Sequence, residues 1–198
     1  PIDAASALRE RAEAAATRGE ELLLTNMGLA LSDAEEAVKS AVREVEQQEP
    51  PDEEVMESLS IAHARARLVT AMKASGSAAD ALKKRGAAAE QDAIAGKALA
   101  ELTVEIVEAE EQVNSAVDQA QYDSDEDTLV EVAKKAREVA SNAVPQATGA
   151  KASALKKRAI DAAERADAVL LNHMSEAVSV VEANAEASGF ERDPPEAE

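Results

Sequence analysis

Apolar residues recur at alternating steps of three and four along nearly the whole chain. That spacing predicts α-helices buried along one stripe. The first stretch reads Leu8, Ala12, Ala15, Gly19, Leu22 and then, shifted by one, Leu23, Met27, Ala30, Ala34, Ala37, Ala41. The second reads Leu59, Ala62, Ala66, Val69, Met72 and, further on, Leu99, Leu102, Ile106, Ala109, Val113, Ala116, Ala120. The third reads Leu129, Val132, Ala136, Val139, then Leu155, Ala159, Ala162, Ala166, Val169.

Two breaks separate these stretches. At Pro50-Pro51 the ring nitrogen cannot donate, and the preceding residue avoids the helical region. The second break is the acidic run from Tyr122 to Thr128. Helices are therefore expected from about Asp3 to Glu49, from about Asp52 to Gln121, and from the acidic run to about Ala187. Asp52, Glu53 and Glu54 place negative charge where a helix N-terminus favours it. Gly76, Gly86 and Gly96 can all sit on the seam, so the middle helix is read as continuous, with a kink near Gly76. A true turn at Ser75-Gly76-Ser77, giving four helices, is the alternative. Pro145 and Gly149 are expected to kink or split the last helix. Short connections make neighbouring helices antiparallel. The expected fold is all-α: an elongated antiparallel bundle of three long helices. Residues 1–189 form a single domain, and 190–198 form a disordered Pro/Glu-rich tail.

Composition narrows the kind of bundle. Ala supplies 47 of 198 residues and Glu 28, and both are strong helix formers. Leu, Ile, Val and Met together number only 41, and the aromatics are Tyr122 and Phe190. So little bulk suits thin bundles in which small side chains let helices approach closely, and it lacks what a sheet protein needs.

The net charge is −19. Nucleic acid is excluded as a partner, because phosphate binding needs a basic footprint. Adsorption to anionic membranes is disfavoured for the same reason, and no run is apolar enough for insertion of this fragment. The charge is banded. From Ala98 to Ala133 there are 11 acidic residues and no basic one. Basic residues outnumber acidic ones 7 to 3 from Arg65 to Lys97, and 8 to 3 from Lys134 to Arg165. Three antiparallel helices would bring these two basic stretches side by side as a belt. Within them Ala-Leu-Lys-Lys-Arg occurs twice, ending in Lys83, Lys84, Arg85 and in Lys156, Lys157, Arg158. These six residues are the candidate basic patch. Chance recurrence in Ala/Lys-rich helices is the simpler account of the repeat.

The remaining candidates for chemistry are weak. Asp123, Asp125 and Asp127 are spaced like the start of a calcium loop, but Thr128 and Lys134 stand where that loop needs Gly and Glu. An acidic turn capping a helix explains them. Neither His63 nor His173 has the Glu three residues earlier that a bundle di-metal site uses, since Ser60 and Leu170 stand there. His173 falls on the apolar seam. No cysteine, phosphate loop or nucleophile motif occurs. No catalytic, cofactor-binding or metal-binding residue is expected, and the chain is read as no enzyme. Leu22-Leu23-Leu24 with Met27, Leu29 and Leu31 is the bulkiest apolar cluster. Core packing is its simpler use, and a partner site is the alternative.

These features resemble the glutamic acid/alanine-rich protein family, surface coat proteins of African trypanosomes in the insect stage. The resemblance lies in Ala-Glu runs such as Glu105 to Glu111, in absent Cys and Trp, and in the tail Pro194-Pro195-Glu196-Ala197-Glu198. It implies an extended helical bundle on the extracellular face of the plasma membrane. A glycosylphosphatidylinositol anchor would be added beyond Glu198, and the proteins would pack into a protective layer. The alternative is a surface receptor or adhesin binding a host or vector macromolecule. No Asn-x-Ser/Thr occurs, so N-glycosylation is not expected.

Overall fold

The computed structural model describes residues 2–120, 126–142 and 146–189, with side chains placed from residue 4 to residue 185. Five α-helices account for most of the described residues, and no strand occurs among them. They are α1 (Ile2–Gln47), α2 (Glu53–Ala71), α3 (Ser77–Ala120), α4 (Glu126–Asn142) and α5 (Gly149–Gly189). The all-helical expectation holds. The three-helix version does not, and the alternative with a turn at Gly76 fits instead.

Local chemistry explains each boundary. At Pro50-Pro51 the chain leaves α1 and re-enters a helix through Asp52. The Asp52 side chain accepts from the Val55 N–H at 3.0 Å, and Glu53 and Glu54 fill the first turn. The stretch between Ala71 and Ser77 was expected to continue as helix, and it does not. Met72 turns extended, at ψ 134°. Gly76 then takes φ +95°, a left-handed conformation that side chains with a Cβ rarely adopt. From there the Asp80 N–H donates to the Gly76 carbonyl at 3.0 Å, and α3 begins. The expected third helix is likewise divided, with Gly149 at φ +97° opening α5. Pro145, the acidic run at 121–125 and the tail 190–198 lie outside the described residues.

The chain forms two compact units within the stretch read as one domain. Unit 1 comprises Pro1–Val104 and Val144–Ala152, and unit 2 comprises Glu105–Ala143 and Ser153–Glu198. In unit 1, α1 and α3 run the same way, and α2 runs against them. Glu35 and Val42 of α1 meet Arg85 and Gly96 of α3, whereas Val69 and Leu59 of α2 meet Gly86 and Gly96. The buried seams are regular. They read Met27, Leu31, Ala34, Val38, Ala41, Val45 in α1 and Val55, Leu59, Ala62, Ala66, Val69 in α2. Facing them on α3 lie Ala79, Gly86, Ala89, Ala93 and Gly96.

Unit 2 packs the later part of α3 with α4 and α5. One cluster of its core is nearly all alanine: Ala109, Ala116, Ala120, Ala133, Ala136, Ala162, Ala163 and Ala166, with Val113 and Leu129 as its larger buried members. Ion pairs and hydrogen bonds ring this core. Arg158 and Arg165 of α5 reach Glu110 and Asn114 of α3, Lys135 of α4 reaches Gln112, and Arg137 of α4 pairs with Asp167 of α5.

Each unit also has one helical arm that no other described element covers. In unit 1 every described residue of α1 from 4 to 22 is exposed, Leu8 and Leu22 at 64% each. In unit 2 every residue of α5 from 171 to 185 is exposed except the half-buried His173. Leu171, Met174, Val178 and Val181 there stand 50–67% open to solvent. The leucine cluster near residue 22 is thus divided. Met27 and Leu31 are core and Leu23 and Leu24 half-buried, but Leu22 and Leu29 face solvent, where core packing was expected.

Gly96 sets the spacing of unit 1. A Cβ there would lie 2.7 Å from Val42 Cγ2 and 3.0 Å from Leu59 Cδ2, side chains of two different helices. Gly96→Ala should therefore lower stability by about 1–3 kcal/mol, the usual cost of overpacking, despite the better helix propensity of Ala. Gly28 has nothing within 4 Å of its Cβ position. Gly28→Ala should raise stability by up to about 1 kcal/mol. Urea unfolding of both variants measures this, and equal shifts of the same sign would contradict the close approach at Gly96.

Candidate functional site

A groove of about 780 Å³ lies between α1 and α3 in unit 1. Its floor is apolar: Val38, Val42, Ala89, Gly96 and Leu99. The floor exists because, apart from Leu99, the facing helices carry small or β-branched residues there, which leave a trough. The rim is charged on both sides, with Lys39, Arg43 and Glu46 on α1 and Asp92 on α3. A two-point ion pair crosses the groove at Arg85, whose Nε and Nη2 donate to Glu35 Oε1 and Oε2 at 3.1 and 2.7 Å. Both partners are largely solvated, so the pair contributes only about 0.2–1 kcal/mol. Thr148 lines the groove as well. Such a trough can hold a row of apolar side chains or a small amphipathic molecule, with orientation set by the mixed-charge rim.

The six residues of the expected basic patch are split between the units, Lys83, Lys84 and Arg85 in unit 1 and Lys156, Lys157 and Arg158 in unit 2. Three of them are engaged within their own unit. Lys83 Nζ donates to the Ala74 carbonyl at 2.9 Å, in the turn after α2. Arg85 holds Glu35 across the groove. Arg158 donates through Nε and Nη2 to Glu110 at 3.1 and 2.5 Å. Lys84 and Lys157 are exposed and Lys156 is half-buried. Burial raises the Glu110 carboxyl above its ordinary range, and the nearby Arg165 charge offsets part of that rise.

Neither histidine builds a metal centre among the described residues. His63 Nε2 lies 3.6 Å from Glu90 Oε1, an ion pair only when the ring is protonated. His173 Nδ1 has no hydrogen-bond partner among the described residues. No group of three or more potential ligands from His, Cys, Asp and Glu occurs among the described residues. The Asp123 and Asp125 positions of the calcium-like spacing lie outside them.

A further polar contact that the sequence does not announce involves Lys151. Its Nζ donates to the carbonyls of Val45 at 2.6 Å and Gln48 at 3.5 Å, where α1 ends. The last turn of α1 holds no basic residue of its own, so a lysine from the start of α5 meets the negative end of the helix dipole. Burial lowers the Lys151 pKa, and Glu46 offsets part of the shift. Nothing in the local sequence signals this partnership, because the two ends lie about a hundred residues apart.

Lys151→Met keeps the aliphatic stem and removes the charged donor. It should lower stability by about 1 kcal/mol, the net worth of a hydrogen bond at a helix end. Lys157→Met, at an exposed position, should change it by less than about 0.5 kcal/mol. Thermal unfolding of the two variants side by side checks this, and indistinguishable midpoints would remove the capping role. No family model, curated protein or solved structure matches the chain.

Proposed function

We propose that the chain is a non-enzymatic, anionic helical component of a protective cell-surface layer. In this reading a glycosylphosphatidylinositol anchor at the C-terminal side holds it, and it packs against copies of itself. The observation that carries the proposal is the pair of uncovered arms. Leu8 and Leu22 on α1, and Leu171, Met174, Val178 and Val181 on α5, are apolar side chains on one face of a helix, and all are half or more exposed. A chain that acts alone gains nothing from such faces, whereas a densely packed layer covers them. The net charge of −19 keeps free copies apart and soluble until local concentration and counterions overcome the repulsion. No helix among the described residues is long and apolar enough to cross a membrane, so attachment in this reading is through lipid.

A receptor or adhesin is the second reading. The apolar-floored groove between α1 and α3 supports it, as a trough of about 780 Å³ can seat part of a macromolecular ligand.

Antibody labelling of intact cells that make the full-length protein, with and without phosphatidylinositol-specific phospholipase C, tests the proposal. Surface label that the phospholipase releases is the expected result. Label reached only after permeabilisation would sink both readings. Surface label that resists the enzyme would remove the anchor.

A further inference from the structure

The two uncovered arms differ in the charges that flank their apolar faces. On α1 the face runs Ala5, Leu8, Ala12, Ala15, Gly19, Leu22, with the steps of three and four that define a coiled-coil seam. The arm carries three arginines, and all three border that seam. With the seam at the a and d heptad positions, Arg9 falls at e, and Arg11 and Arg18 at g. The acidic residues of the same arm, Glu10, Glu13, Glu20 and Glu21, fall at b, c and f, away from it. On α5 the face runs Leu171, Met174, Val178, Val181, Ala185 with the same spacing. Between 171 and 185 there is no Lys or Arg, and the one charged residue bordering the seam is Glu182. One arm therefore offers an arginine-bordered seam of mostly small residues, and the other a bulky seam bordered by one glutamate and no cation.

We infer that the α5 arm of one copy packs against the α1 arm of a second copy as a short two-stranded coiled coil. Three features of the pair support this occupant over others. Small residues on α1 leave room for the larger Leu171, Met174, Val178 and Val181 side chains. Charges complement across the contact, because seam-bordering arginines meet an arm without basic residues. The lengths agree, since 15 residues of α5 span about 22 Å and the 19 exposed residues of α1 span about 28 Å at a rise of 1.5 Å per residue. Pairing of two α1 arms would leave their arginines without acidic residues bordering the opposite seam. Pairing of two α5 arms would leave Glu182 without a cation. A surface bearing arginines beside an apolar stripe also suits a partner whose net charge is −19.

The contact is small, about two heptads, and so is weak between free chains. It gains strength where many copies are held at high local concentration. The α5 arm of one copy and the α1 arm of the next form a heterologous contact, the kind that generates rings or open chains of copies. This goes beyond the surface-layer reading, because the contact belongs to the purified chain wherever the protein resides.

The chain has no cysteine, which permits a direct test by disulfide trapping. One set of full-length chains carries Leu8→Cys, Ala15→Cys or Leu22→Cys, and the other chain carries Val178→Cys. These positions are exposed, so the packed cores are unaffected. Equal amounts are mixed, mildly oxidised and weighed by mass spectrometry. At one stripe position or more, the ratio of α1–α5 disulfides to like-with-like disulfides should exceed its statistical value of about one by roughly threefold, the bias expected from exposed ion pairs. Glu13→Cys, on the far face, should show no excess. Adding Arg9→Glu, Arg11→Glu and Arg18→Glu to the α1 chain should abolish the excess. A statistical mixture at every stripe position, or a dominance of α1–α1 or α5–α5 disulfides, overturns the inference. Neither result bears on surface localisation, and loss of the localisation result leaves this one standing.

Discussion

The structure depends on how closely its helices can approach. Most buried positions are Ala or Gly, so the backbones themselves come into contact range and dispersion between main-chain and small side-chain atoms replaces the usual bulky core. Gly96 is the tightest point, with Val42 and Leu59 both against it. Gly86 repeats the device with Val69 Cγ1 at 3.0 Å from its Cβ position. Because each layer of core is thin, a few large residues suffice. Met27, Leu31, Leu59, Leu102, Ile106, Leu129 and Leu155 are almost fully buried and are spread along the helices rather than pooled. Thr103, the one buried polar side chain among the described residues, is accommodated by donating to the Leu99 carbonyl of its own helix at 2.8 Å.

Close packing of long helices creates a second demand at their ends. None of the five helices has a basic residue in its last turn, so the exposed carbonyls at the end of α1 take their cation from elsewhere. Lys151 serves the end of α1 and Lys83 the turn after α2. Arg85 and Arg158 each span two helices to reach Glu35 and Glu110. The chain has 21 basic residues against 40 acidic ones, and an appreciable share of them is used internally. Arg158 of the second basic stretch pairs with Glu110 of the acidic one, so part of that band serves packing within unit 2.

Regular seams were the most legible part of the chain. The stripes Leu59, Ala62, Ala66, Val69 and Leu99 through Ala120 are buried as their spacing predicts, because each contains a bulky residue every few positions that fixes its phase. In α1 the phase was harder to read. Ala30 and Ala37 are half-buried, while Leu31, Val38 and Val45 carry the seam. Runs of alanine give almost no phase information, since Ala is tolerated on any face of a helix. Gly76 misled for a related reason. Glycine serves both close packing and left-handed turns, and only the backbone of the folded chain separates Gly86 and Gly96 from Gly76. The groove and the Lys151 contact needed the fold, because their residues come from distant segments.

Periodicity also says which face of a helix is apolar but not whether anything covers it. Leu8 to Leu22 and Leu171 to Ala185 have the same three-and-four spacing as the buried seams, yet both stand open. An isolated helix of such length is marginal in water, since nucleation is unfavourable. Each arm avoids that penalty by continuing a helix already nucleated by packing, α1 from Met27 onward and α5 up to Ala166. Propagation then relies on Ala and Glu, the strongest helix formers the chain has. The same alanine content that thins the core thus lets the helices extend past it at little cost. An Ala-rich bundle is suited to present long uncovered faces to neighbours, which a bundle built from bulkier, weaker helix formers could not do without collapsing them inward.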